Sequence, residues 1–251
     1  MTLPIKLSGN YPLITAEIDG VDVPLVLDTG DSANVALAQG VLDRIKATPT
    51  GASGRALDAM GNALTKPKYK VRHLRLGGID FADVTAQLDV HDPTYQASQV
   101  GQQGFLGTGL LKPYRVVVDY PHLTLMLMTP GSARSGSGSC EGVAVPFARQ
   151  FRGEPATEVS TDRGKLLMWW DTGTPTSVFS KRIIGKARSR GDEPPVRTRH
   201  LYLAGIDFGK FEFEVPDLSL PPDFDGLMGY SFFARHAVCF DFPGKQLRIR
   251  R

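Results

Sequence analysis

Leu166-Leu167-Met168-Trp169-Trp170-Asp171-Thr172-Gly173-Thr174 is an apolar run that ends in Asp-Thr-Gly. Val23-Pro24-Leu25-Val26-Leu27-Asp28-Thr29-Gly30 has the same form, 143 residues earlier. A buried strand that delivers an acid into a Gly turn is ordinary once, because Asp readily caps a turn and Gly readily follows it. Its appearance twice in one chain points to two lobes that each present one carboxylate to a shared site.

Three further landmarks recur in the same order. Gly77-Gly78-Ile79-Asp80-Phe81 returns as Ala204-Gly205-Ile206-Asp207-Phe208, and Gly104-Phe105-Leu106-Gly107 returns within Asp225-Gly226-Leu227-Met228-Gly229. Val117-Val118-Asp119-Tyr120 returns within Val238-Cys239-Phe240-Asp241-Phe242. Gly107 and Gly229 are 122 residues apart, and so are Asp119 and Asp241. A two-unit internal repeat explains this order, and two units mean paired lobes, not a solenoid. The offset falls from 143 at Asp-Thr-Gly to 127 at the Gly-Ile-Asp-Phe turn, so the second unit lacks 16 residues in between. The material missing there corresponds to residues 49–67, rich in Gly, Ala, Ser and Thr, which read as a hairpin with a mobile tip around Met60, Gly61 and Asn62. The expected division is an N-terminal lobe over 1–129, a Gly/Ser-rich linker over 130–139 and a C-terminal lobe over 140–251.

Between the landmarks the pattern is that of strands. Residues 3–27 read as a β-hairpin followed by a buried strand, with Leu3 to Leu7 already extended. Residues 35–45 read as a short helix or an extended turn. Tyr69 to Leu76 alternate cleanly, as a strand with one wet face does. Asp119 and Asp241 lie inside closing strands and read as structural anchors at a turn or lobe junction. Of Trp169 and Trp170, strand alternation turns at least one to the core.

Composition sets the outer limits. The 251 residues carry 29 basic and 26 acidic side chains, a net charge of +3. With 41% hydrophobic residues the chain can build a core without metal or disulfide staples. The basic cluster at Lys181-Arg182, Lys186, Arg188 and Arg190 reads as a solvated helix face or loop, and no nucleic-acid partner is expected. No apolar run reaches the length of a membrane span and no secretory signal opens the sequence. The protein is therefore expected to be soluble, either inside the cell or exported with its signal outside this stretch. Cys140 and Cys239 fit one disulfide or two buried thiols equally. The five histidines show no metal spacing, and there is no Gly-x-Ser-x-Gly elbow, phosphate loop or zinc helix.

At the paired Asp-Thr-Gly loops and their Phe105-Leu106-Gly107 and Leu227-Met228-Gly229 partners, the sequence resembles the aspartic peptidases of the pepsin and retropepsin superfamily. The lobes are short, as in a retropepsin subunit, while their fusion and single flap are more like pepsin. The resemblance implies an all-β fold of two similar barrel-like lobes with an active-site cleft between them. It implies that Asp28 and Asp171 are catalytic, that Thr29 and Thr172 bond across the lobe junction, and that Gly30 and Gly173 let the backbone approach the carboxylates. Thr174 is the expected hydroxyl partner of the second acid. The flap maps onto residues 52–65, with Met60 and Gly61 as substrate contacts. A peptide or protein substrate, pepstatin-like inhibitors, no metal, no cofactor and a monomeric enzyme follow from the same likeness.

The chemistry also stands without the family. Two carboxyls about 3 Å apart do not both ionise easily, so one keeps a proton that the other loses. The ionised one activates a water and the neutral one polarises the carbonyl, at acidic pH. Two departures stand out: Asp31 follows the first motif where Ser, Thr or Ala is usual, with Ser32 next to it, and the flap has no Tyr. Asp31 raises the dyad's pKa values by repulsion or points into solvent. A weak or inactive peptide-binding protein on the same fold is the alternative.

Overall fold

A computed structural model describes residues 1–57, 63–90, 101–131, 140–151, 154–185 and 193–251. Three sheets account for nearly all of the regular structure. The first has eight strands, in the order Lys6–Ser8, Tyr11–Ile18, Val21–Leu27, Gly104–Leu106, Val35–Leu37, Ile79–Leu88, Ala63–Leu76 and Thr48–Leu57. A further pairing of Glu17 with Arg75 and of Ile18 with Leu74 curls this sheet back on itself. The second, of nine strands, is built from Arg149 to Met228 around the same central trio: Gly164–Trp170, Gly226–Met228 and Val178–Phe179.

The third sheet has six strands, three from each half of the chain: Thr2–Pro4, Thr124–Met128, Arg115–Asp119, Ala237–Asp241, Gln246–Ile249 and Val143–Pro146. Its two central strands run antiparallel, and Val117 faces Cys239. Those two residues are also equivalent in the repeat, so the local two-fold of the duplication passes through that pair. The halves thus share one hydrogen-bonded sheet.

The chain opens differently from the single strand expected over Leu3 to Leu7. Thr2–Pro4 pairs with Thr124–Met128, and Lys6–Ser8 pairs with Tyr11–Ile18. Ile5 lies between them, buried, with its N–H on the Leu123 carbonyl at 2.8 Å. The segment crosses from one sheet to another there. In 35–45 both a strand and a helix form: Val35–Leu37 is buried between Gly104–Leu106 and Ile79–Leu88, and Gln39–Arg44 is helical. The expected hairpin over 49–67 is present as Thr48–Leu57 and Ala63–Leu76. Among the described residues the second half has no counterpart to it: after the 3₁₀ turn at Lys181–Ile184, strand Glu193–Thr198 pairs with Phe211–Val215 instead. Met60 and Gly61 lie outside the described residues, as do linker residues 132–139 and Lys186, Arg188 and Arg190.

Cys140 and Cys239 form a disulfide, with Cα atoms 5.3 Å apart. Asp119 and Asp241 are buried and ion-paired across the shared sheet in reciprocal fashion. Arg250 binds Asp119, and Arg115 Nε lies 3.3 Å from Asp241 Oδ1. Asp119 also accepts from His122 Nδ1 at 2.8 Å, and Asp241 from the Gly244 N–H at 3.0 Å. A buried charge that loses its partner is strongly destabilising. Asp119→Asn is expected to lower unfolding free energy by about 2 kcal/mol in urea titrations, because it leaves Arg250 without its anion.

Candidate active site

The two Asp-Thr-Gly loops meet. Each aspartate directly follows a buried strand whose parallel neighbour extends the pairing by one bond. Asp28 N–H donates to Leu106 O at 2.9 Å, and Asp171 N–H to Met228 O at 3.0 Å. These neighbours are the apolar segments before Gly107 and Gly229, and both glycines are required by space. A Cβ on Gly107 would lie 2.4 Å from Ala33 O, and one on Gly229 would lie 2.0 Å from Thr176 O. Closer contact than about 3.0 Å is not found for real Cβ atoms.

Thr29 and Thr172 are fully buried and interlocked. Thr29 Oγ1 donates to Trp170 O at 2.8 Å and accepts the Thr172 N–H at 3.0 Å. Thr172 Oγ1 donates to Leu27 O at 2.7 Å and accepts the Thr29 N–H at 3.1 Å. Four bonds therefore brace the loops against each other. Trp170 stands behind them, fully buried, with its indole N–H on Thr157 Oγ1 at 2.8 Å. The Tyr120 hydroxyl donates to Thr172 O at 3.4 Å. Its role is invisible in the repeat, because the equivalent residue is Phe242.

The glycines of the loops face the opposite acid. A Cβ on Gly30 would lie 2.5 Å from Asp171 Cγ, and one on Gly173 2.6 Å from Asp28 Cγ. Each glycine also donates its N–H to the carboxylate of its own loop: Gly30 to Asp28 at 2.8 Å, Gly173 to Asp171 at 2.7 Å. The Asp28 and Asp171 side chains are hydrogen-bonded to each other, and both keep part of their surface open.

Their environments are unequal. Desolvation pushes the Asp28 carboxyl well above the usual aspartate range, reinforced by the charges of Asp171 and Asp31. Desolvation also raises Asp171, but the Thr174 hydroxyl, at 2.6 Å, leads the groups that hold it down. Asp28 has no such donor: among the described residues Ser32 makes no hydrogen bond to either carboxyl. Of the two expectations for Asp31, repulsion holds, since its charge raises both carboxyls, and the side chain is not turned out into solvent. Its carboxylate accepts the Ala33 N–H at 2.8 Å and lies 3.9 Å from the ammonium of Lys66, a residue that no sequence motif marks out. The expected proton inequality is therefore built into the site, with the proton favouring Asp28.

Other features lie apart from the acids. A cavity of about 520 Å³ on the second half, lined by Thr176, Arg197, Arg199, Lys210, Glu214 and Arg235 among others, contains neither carboxyl. Lys181 and Arg182 of the basic cluster pair with Asp217 and Asp225. Among the described residues, no group of three His, Cys, Asp or Glu side chains is placed to hold a metal ion, and no helix is long and apolar enough to cross a membrane.

Comparison with known proteins agrees with this geometry. Residues 14–110 match the aspartyl protease family. No curated protein matches the chain in sequence. Among solved structures, the aspartic proteinase from Irpex lacteus superposes with a TM-score of 0.67 at 12% identity, over 99% of this chain and 96% of that one. At that identity the likeness concerns the fold. Residues 14–110 thus carry the aspartyl protease family signature, and the chain over nearly its whole length adopts the aspartic proteinase fold.

Proposed function

We propose that this protein is an aspartic endopeptidase whose catalytic residues are Asp28 and Asp171. The observation that carries the proposal is the hydrogen-bonded pair of carboxyls, one from each half, in unequal surroundings. Asp171, steadied by Thr174 and Gly173, is the ionised member and takes a proton from the attacking water. Asp28 is the protonated member and donates a hydrogen bond to the substrate carbonyl. The water oxygen adds to the carbonyl carbon, the gem-diol forms between the two acids, and the peptide C–N bond breaks as the nitrogen takes up a proton. The dyad is a known pattern of aspartic proteases, with titrations that belong to the pair. No metal or cofactor enters these steps.

In this reading lobes 1–129 and 140–251, joined through 130–139, form one site in a single monomeric chain. Residues 52–65 are the flap, which closes on an extended peptide with Met60 and Gly61 as substrate contacts and adds backbone bonds strand fashion. Incubation with an unfolded protein between pH 3 and 7 tests the proposal. Internal cleavage at acidic pH is expected, whereas binding of a pepstatin-like inhibitor with no cleavage at any pH would leave a peptide-binding protein.

Stability should report the same pair. Both carboxyls have raised pKa values, so the folded chain holds protons that the unfolded chain releases. This contribution is complete below the ordinary aspartate value and is lost as pH rises through the raised values. Asp28→Asn, which stays neutral, should therefore melt about 3 °C or more above the parent at pH 7, and the gap should close toward pH 3 in thermal scans.

A further inference from the structure

The outer part of the hairpin is mostly exposed over residues 51–56 and 63–67. Among its described residues one side chain alone is buried, and it is a lysine: Lys66 is 6% exposed. A buried ammonium needs an anion, because desolvation without a partner disfavours the charge. Asp31 is that anion, at 3.9 Å from Nζ, with side-chain exposures of 8% and 23%. Asp31 is itself fixed: its backbone carbonyl accepts the Thr108 N–H at 2.8 Å and the Thr108 hydroxyl at 3.0 Å.

The two halves differ at this point in a way that bears on charge. Thr174 gives Asp171 a hydrogen-bond donor, while the corresponding Asp31 has only acceptor oxygens to offer Asp28. A third anion beside the pair needs a counter-charge, and the hairpin supplies it. We propose that Lys66 is a positioning residue that acts through Asp31: it neutralises the third acid, sets the pH at which the Asp28–Asp171 pair gives up its last proton, and ties the hairpin to the catalytic loop. The inference rests on reading the pair as a peptidase dyad.

The charged and titratable groups facing one another here are Asp28 and Asp31 on the first loop, Asp171 on the second, Lys66 on the hairpin, and Tyr120 with Tyr230 behind. Among the described residues of this cluster Lys66 alone carries positive charge, so its sign is decisive. Removing it makes the cluster more negative, and the last proton is held to higher pH. Removing Asp31 while keeping Lys66 does the reverse, and removing both brings the pair back toward the parent. A unit charge roughly 10 Å from a carboxyl, at an effective dielectric constant of about 20–40, moves its pKa by about half a unit to one unit.

The test is the upper limb of the pH–rate profile for cleavage of an unfolded protein by the parent, Lys66→Met, Asp31→Ser, the double variant and Lys66→Arg. The limb should rise by about half a unit in Lys66→Met, fall in Asp31→Ser, return toward the parent in the double variant, and stay in place in Lys66→Arg. Lys66→Gln serves as the neutral variant if Lys66→Met does not fold. A role in shape alone would lower rates without opposite shifts. Limbs that stay in place, or move together in both single variants, overturn the proposal. If the parent cleaves nothing, the peptidase reading falls. In that case ¹³C NMR titration of the Asp28 and Asp171 carboxyls in the same variants decides the charge inference by the same opposite shifts.

Discussion

Asp28→Asn and Asp171→Asn are each expected to lower the rate of peptide hydrolysis by about 10⁴-fold or more, with the far-ultraviolet spectrum unchanged. The two replacements remove different functions. Asparagine at 171 cannot accept the proton of the attacking water, and asparagine at 28 cannot deliver one to the product. Because the acids share one proton, their contributions are not additive, and the double variant should be little worse than either single one. Steady-state cleavage of a peptide at the parent's optimum checks this. A single variant that keeps a tenth of the parent rate would remove that acid from the mechanism.

The second large effect is expected at the interlocked threonines. Thr29→Val and Thr172→Val keep the volume but delete a hydroxyl that both donates and accepts across the junction. Each leaves a buried N–H and a buried C=O without a partner, which costs about 2–4 kcal/mol. The double variant should lose less than the sum, since the first deletion already loosens both loops. The same changes should reduce activity even where the chain is folded, as the carboxyls lose the brace that sets their separation. Urea unfolding of the singles and the double, read as a mutant cycle, measures the coupling. Additive losses would mean that the loops are held independently.

The duplication makes most of this architecture legible in the order of residues alone. A strand that ends in Asp-Thr-Gly is ambiguous by itself, but the repeat of four landmarks sets Asp28 opposite Asp171, and the Thr29–Thr172 bonds are those that the family resemblance implies. The shortened second repeat locates the start of the hairpin to within one residue, but its return strand runs on from Ala63 to Leu76 and takes in the strand expected separately over Tyr69 to Leu76. What escapes such a reading is fixed by contacts distant in sequence. Val35–Leu37 is too short for periodicity to show, and it becomes a strand because neighbours on both sides hold it. Thr2–Pro4 and Lys6–Ser8 look like one strand, because nothing local says that Ile5 passes between sheets. The partnership of Cys140 and Cys239, 99 residues apart, depends on the shared sheet, which spacing does not encode. Lys66 in a polar hairpin reads as solvated, and only the fold shows it buried against Asp31.

The central claim is that one chain holds one complete hydrolytic site made from two acids. Titrating the cleavage of an unfolded protein at acidic pH with a tight pepstatin-like inhibitor tests it most directly. Activity should fall to zero at one inhibitor per chain. Cleavage that persists beyond one equivalent, or that ends at one inhibitor per two chains, would contradict the account.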